Sequence, residues 1–386
     1  MAIDFDQVID RAGSHSLKFD GRKAKFGTDD VMPLWVADMD FAAPVAVTEV
    51  LTQRASHPVY GYTLYPDSLY SAMRDWFKSH HNWSFDRQSI LMCPGVVPSI
   101  HAAILALSKP GDGVIVQPPV YPPLFTAVTE TQRELILNPL KLEQNRYKID
   151  FEHLEQCAAS GAKLLLLCSP HNPTGRVWQQ DELEAMLAIA RRYQLTIISD
   201  EIHADLVYSE QRHIPLATLS DDVPIVTAVA PSKTFNIPGM GLSSLVVNKT
   251  SHRRAINKVF DSWHIYATNP FSIAAFEAAY RGGKDWLDEL LVYIAETRRQ
   301  AAEFIDHNLP KIKLVDSEGT YLLWIDCRAL AMSDDELQQF FINKAKIGLN
   351  PGISFGDAGS GFMRMNIGTR RSMIMQALKN IQQACE

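Results

Sequence analysis

Thr196-Ile197-Ile198-Ser199-Asp200 is a short, largely apolar run that ends on a carboxylate. An apolar run of this length reads as a strand buried on both faces, the kind found in parallel sheets covered by helices. Four more such runs lie between residues 87 and 250: Val114-Ile115-Val116, Leu164-Leu165-Leu166-Leu167, Ile225 to Val229 and Ser244 to Val247. Helical stretches separate them; Gln180 to Arg192 carries Leu183, Met186, Leu187 and Ala190 on one helical face. This alternation predicts an α/β fold, a large domain with a mostly parallel central sheet flanked by helices. Past Gly282-Gly283, Trp286, Leu290, Ile294, Ala301 and Ile305 form one stripe of a long amphipathic helix. It leads to a smaller α+β domain with strands at Thr320–Asp326 and Phe362–Asn366. The first ~50 residues are rich in turn formers and read as an arm packing near that second domain. The expected division is an arm over 1–50, a large domain over 51–284 and a small domain over 285–386.

The bulk composition narrows the function classes. A net charge of −7 lacks the concentrated basic surface that nucleic acid requires. No segment approaches the ~20 apolar residues of a membrane span, and Met1-Ala2-Ile3-Asp4-Phe5-Asp6 has neither the basic cap nor the apolar core of a signal peptide. The five cysteines (93, 157, 168, 327 and 385) are widely spaced and form no C-x-x-C, so reduced thiols in a cytoplasm are expected and a metal is not.

Three polar residues follow separate apolar segments in order. Asn172 opens Asn172-Pro173-Thr174-Gly175, Asp200 closes its strand, and Lys233 lies in Ala230-Pro231-Ser232-Lys233-Thr234-Phe235-Asn236 after the Ile225–Val229 run. Strand ends are where open α/β sheets place ligands. Singly, Asp200 reads as a helix N-cap, Asn172 as a turn residue and Lys233 as a surface lysine. Together they are the set that pyridoxal phosphate requires: an amine for its aldehyde, an acid for its ring nitrogen and a donor for its phenolic oxygen. Gly95, Val96 and Val97 precede the apolar helix Ile100–Leu107, a helix start whose free N–H groups suit a phosphate. Tyr121, in Pro118-Pro119-Val120-Tyr121-Pro122, is positioned to stack on a ring or simply to close a proline-rich loop. Arg364 sits inside the apolar run Phe362 to Ile367 and must have a partner, either a substrate carboxylate or an internal salt bridge. His203 reads as a core histidine or a polar group beside the cofactor. His80, His81 and His101 read as ordinary helix-face residues.

Taken together, these segments resemble the fold-type-I pyridoxal phosphate enzymes of the aspartate aminotransferase superfamily over nearly the whole chain. Within it, Trp35-Val36-Ala37-Asp38-Met39-Asp40-Phe41, Ser199-Asp200-Glu201-Ile202-His203 and Ser232-Lys233-Thr234-Phe235-Asn236-Ile237-Pro238-Gly239 are similar to the MalY/PatB branch of C–S lyases. The resemblance implies that Lys233 is the Schiff-base lysine, Asp200 pairs with the ring nitrogen, Asn172 contacts the phenolic oxygen and Tyr121 stacks. It implies that Arg364 binds the carboxylate of an amino-acid substrate, and that Tyr62 reaches the cofactor phosphate of the neighbouring subunit in a homodimer. Two departures from the wider superfamily stand out. His203 occupies the place of a common tyrosine, and Thr234 to Leu242 lacks the usual basic phosphate ligand, which leaves Gly95, Val96, Val97, Ser232 and Tyr62 for that task. The expected activity is β-elimination from a sulfur amino acid; an aminotransferase and a non-catalytic cofactor-binding regulator are the alternatives.

Overall fold

The apolar runs form the centre of the molecule because no other arrangement hides both of their faces. In this computed structural model, which describes residues 3–386, the strands Gly113–Val116, Leu164–Cys168, Ile225–Val229 and Ser243–Val247 are buried at every residue, and Thr196–Asp200 at all but its first. Ile90–Cys93 and Glu134–Leu137 join them, and neither was expected from the sequence. The seven strands run in the order Ile90–Cys93, Ser243–Val247, Ile225–Val229, Thr196–Asp200, Leu164–Cys168, Gly113–Val116, Glu134–Leu137. Only the Ser243–Val247 strand runs against its neighbours.

Alternate residues of the central strands feed two separate cores. Val114, Leu164, Leu166 and Ile198 pack with Ile100, Ala103, Ile256 and Phe260 on one face. Ile115, Leu165, Leu167 and Ile197 pack with Leu154, Leu183, Met186 and Leu187 on the other. Trp324, Phe355 and Phe362 complete that second core, and so join the smaller sheet to the larger.

The smaller sheet is antiparallel, in the order Lys313–Leu314, Leu322–Asp326, Phe362–Asn366, Asn350–Pro351. The Lys284–Asn308 helix buries Trp286, Leu290, Ile294, Ala301 and Ile305 as the stripe predicts. The N-terminal residues pair with this half of the chain through Met32–Pro33, which runs parallel to Ile347–Gly348. The region before residue 57 is more regular than expected: Val45–Ser56 is a helix, and it straddles the boundary anticipated at residue 50.

Candidate active site

Register places the chemistry. Cys168 lies opposite Asp200, and Asp200 opposite Ala228, so three neighbouring strands end together. The loops leaving those ends carry Asn172 and Lys233 beside Asp200. The order of the strands reverses between Gly113–Val116 and Leu164–Cys168, a switch point where such sheets open a crevice. Tyr121 and Asn172 flank that crevice, and the Tyr121 N–H donates to Asn172 O at 3.0 Å.

The crevice is a cavity of about 290 Å³ lined by Gly95, Val96, Val97, Tyr121, Asn172, Asp200, His203, Ser232 and Lys233, with Ala37 at its side. Asp200 caps no helix, because a turn rather than a helix follows it. The one hydrogen bond its carboxylate receives among the described residues is from Ile202 N–H, at 3.2 Å. Burial raises its pKa to about 7. A cation facing it would restore the carboxylate.

Lys233 Nζ donates to Ala37 O at 2.7 Å. Burial, then the charge of Arg364, lower its pKa to about 8 against the opposing pull of Asp38 and Asp200. His203 is buried, and its pKa falls to about 3 through burial and the nearby Lys233 and Arg364 charges, so the imidazole is neutral.

Arg364 is buried, yet no carboxylate pairs with it among the described residues, which excludes the internal salt bridge. Its Nη1 donates to Asn172 Oδ1 and its Nη2 to Trp35 O, both at 3.0 Å. The first of these bonds orients the amide of Asn172 and leaves its Nδ2 free to donate. Arg364 Nε and His203 Nδ1 have no partner among the described residues.

At the far end of the cavity the helix begins at Val96, not at Ile100. Pro98 is therefore its third residue, where a missing N–H costs nothing. Gly95 has φ 153° and ψ 160°, a conformation open essentially to glycine alone. It leads into the unpaired Val96 and Val97 N–H groups. Among the lining residues Lys233 is the only lysine or arginine, so this end offers a phosphate neutral donors alone.

Tyr62 is not in the cavity: it is fully exposed in a segment without regular structure. His81, expected on an exposed helix face, is instead buried, with Nε2 2.7 Å from Asp205. Asp205 also accepts from Trp76 Nε1 at 2.9 Å and from Thr234 Oγ1 at 2.8 Å, beside Lys233. Neither Asp205 nor Tyr321, which donates to Ala37 O at 3.0 Å, carries a sequence signal that separates it from core residues.

Comparison with known proteins agrees with this geometry. The family model for aminotransferase class I and II matches residues 29–381. Cystathionine beta-lyase PatB of Bacillus subtilis is 39% identical over 99% of this chain and 100% of its own. Protein MalY of Escherichia coli is 33% identical over 98% of each. The crystal structure of cystalysin from Treponema denticola, which contains pyridoxal 5'-phosphate, matches with a TM-score of 0.96 at 36% identity, over 100% of this chain and 99% of that one. With the family model matched over most of its length, the chain belongs to the aminotransferase class I and II family.

Proposed function

We propose that this chain is a pyridoxal phosphate-dependent C–S lyase that eliminates a thiol from a sulfur-bearing amino acid to give pyruvate and ammonia. The observation that carries the reading is the meeting of Lys233, Asp200 and Asn172 around one cavity, with Arg364, which has no carboxylate partner among the described residues, bonded to Asn172 behind its lining, in a chain 39% identical throughout to a cystathionine beta-lyase. The cavity suits the cofactor by its donor set. Asp200 offers a buried carboxylate short of donors, Ser232 a hydroxyl, Val96 and Val97 free N–H groups, and Lys233 an amine held by one carbonyl.

Pyridoxal phosphate, when bound, supplies the sink for the electron pair left as the Cα–H bond breaks. Asp200 would hold the proton on the ring nitrogen. Asn172 Nδ2, oriented by Arg364, would donate to the phenolic oxygen, and Tyr121 would cover the ring. Two of the three free guanidinium donors of Arg364 would grip the substrate carboxylate. Lys233 would anchor the cofactor at rest, and its freed Nζ would take the Cα proton of the bound substrate. A pKa near 8, well below that of a solvated lysine, leaves about a tenth of that amine unprotonated at pH 7. The thiol needs little acid assistance to leave, since its own pKa is about 8.5.

We further infer a homodimer with shared sites, supported by the outward placement of Tyr62 with Val59, Tyr60 and Leu64. Five unpaired cysteines support a reducing, cytoplasmic setting. The two sheets support a division of the chain at residues 284/285 into a large and a small unit, with the N-terminal arm contributing to the small one.

The test supplies L-cystathionine without a keto acid and follows pyruvate, ammonia and free thiol. Sustained, equimolar release of all three is the expected result. A single turnover that stops at pyridoxamine phosphate and resumes on adding a keto acid would make the chain an aminotransferase instead.

A further inference from the structure

Two sequence motifs, those around Lys233 and Arg364, converge on a third, to whose side chains the proposed chemistry gives no part. Trp35 to Phe41 is gripped by Asn236, three residues after Lys233, and by Asn366, two residues after Arg364. Asn236 Nδ2 donates to Met39 O and Phe41 O at 2.9 and 2.7 Å, and its Oδ1 accepts from Met39 N–H at 2.9 Å. Asn366 Nδ2 donates to Val36 O, and to Asp38 O at 2.6 Å. The segment in turn holds the cations of the site: Trp35 O accepts from Arg364 Nη2 at 3.0 Å and Ala37 O from Lys233 Nζ at 2.7 Å. A single stretch of backbone therefore fixes both the amine and the guanidinium.

Two side chains of that stretch are tied to the N-terminal arm. Arg11 Nη2 lies 2.6 Å from Asp38 Oδ2, and its Nη1 lies 2.7 Å from Asp40 Oδ1. Lys18 Nζ is 3.0 Å from Asp40 Oδ1 and 3.7 Å from Asp38 Oδ1. The Lys18 side chain has no solvent exposure and that of Asp40 only 8%. Burying ion pairs this deeply returns little net stability, because desolvation offsets most of the attraction. It does fix geometry, since each charge must keep its partners or be left alone in the interior.

We propose that Arg11 and Lys18 are positioning residues: by clamping Asp38 and Asp40 they hold the Trp35 and Ala37 carbonyls in place, and through them Lys233 Nζ and the Arg364 guanidinium. This rests on the roles given above to Lys233 and Arg364, and it adds the arm to the site. It also has an electrostatic consequence. Lys233 faces Asp38 from the arm, Asp200 and His203 from the large sheet, Tyr121 from the crevice loop, and Tyr321 and Arg364 from the small sheet. Arg11 and Lys18 neutralise Asp38. Removing Arg11 leaves that carboxylate less compensated, favours the ammonium form of Lys233 and moves the acid side of the pH–kcat profile to higher pH.

The experiment compares the wild-type holoenzyme with Arg11→Gln, Arg11→Lys and Arg11→Gln/Asp38→Asn. Binding of L-alanine, which has no group to lose at Cβ, is followed by the cofactor's absorbance. Turnover is measured with L-cystathionine across pH, and the fold is checked by circular dichroism. Arg11→Gln is expected to weaken L-alanine binding and lower kcat by roughly tenfold each, as displacements of a fraction of an ångström do. Its acid limb should shift upward. Arg11→Lys should recover part of both losses, and the double variant should return the acid limb towards wild type while binding stays weak. A folded Arg11→Gln with wild-type binding, kcat and acid limb, whatever its melting temperature, overturns the proposal. If Arg11→Gln does not fold, Asp38→Asn decides: its acid limb should move downward, and an unmoved limb overturns the proposal equally. Failure of the underlying reading shows separately, as a Lys233→Ala variant that keeps wild-type turnover.

Discussion

At Asp200 the demands of burial and of chemistry oppose each other, and the conflict is measurable. Burial raises its pKa to about 7 in the folded chain, against 3.8 for a free carboxyl. The native state thus holds the proton more tightly than the unfolded state does, and stability from this group is full below about pH 4 and lost as pH rises through 7. Asp200→Asn should therefore stabilise the cofactor-free protein above pH 7, by a few kcal/mol at most, and leave it unchanged near pH 4; thermal melts at both pH values check this. The same variant should retain pyridoxal phosphate poorly, because the ring nitrogen loses its anion. For Lys233, whose pKa burial and Arg364 lower to about 8, the expected loss is of colour. Lys233→Ala should fold but lack the yellow, borohydride-reducible band, and a reducible imine persisting at that site would disprove the assignment. Residues of this kind were legible because each is polar and follows an apolar run. His81 and Lys18 were not. A histidine on an amphipathic helix or a lysine in an arm looks solvated until the carboxylate that meets it is known, and Asp205 and Asp40 lie 124 and 22 residues further on.

Among the elements, the helix that starts at Val96 shows how local sequence can give the right part with the wrong edge. Gly95 and Pro98 both mark a helix start, but proline is tolerated throughout the first turn, so the pattern alone does not say where that turn begins. The structure makes Gly95 the N-cap, with φ 153°. Alanine there would meet Pro98 Cδ at 3.5 Å, an ordinary contact, so the cost of Gly95→Ala is conformational, about 1–3 kcal/mol. Relief of that strain should tilt the Val96 and Val97 N–H groups away from the cavity. The expected outcome is cofactor affinity reduced roughly tenfold or more in a folded protein, measured by absorbance titration of the cofactor-free enzyme. Strands at the sheet's margin were the hardest to read. Glu134–Leu137 has exposed ends and only partly buried central residues, as an edge strand should, although its Leu135-Ile136-Leu137 is as continuously apolar as the Val114-Ile115-Val116 run of its neighbour.

Over the whole molecule, the outstanding feature is a cavity whose lining holds no lysine or arginine besides Lys233. The cavity's lining gives that end no basic side chain, and Tyr62 stands fully exposed. If the partner subunit supplies Tyr62, mixing inactive Lys233→Ala with a severely impaired Tyr62→Phe should restore up to about a quarter of wild-type activity, since half the dimers are then hybrids with one intact site of two. No recovery after demonstrated subunit exchange, or full activity in a monomer, would refute shared sites. The sequence by itself determined five of the seven strands of the large sheet, a helix between two of them, and the placing of Lys233, Asp200, Asn172 and Arg364 within or just past apolar runs. Those features are written in the spacing of apolar side chains and in polar residues set just past them. Tertiary structure alone decided that Trp35 to Phe41 would bond both to Asn236 and to Asn366, that Arg364 would find Asn172 rather than a carboxylate, and that Lys18 would be buried against Asp40. Such contacts join residues far apart in the chain, and their energies depend on distance and burial, which sequence spacing does not encode.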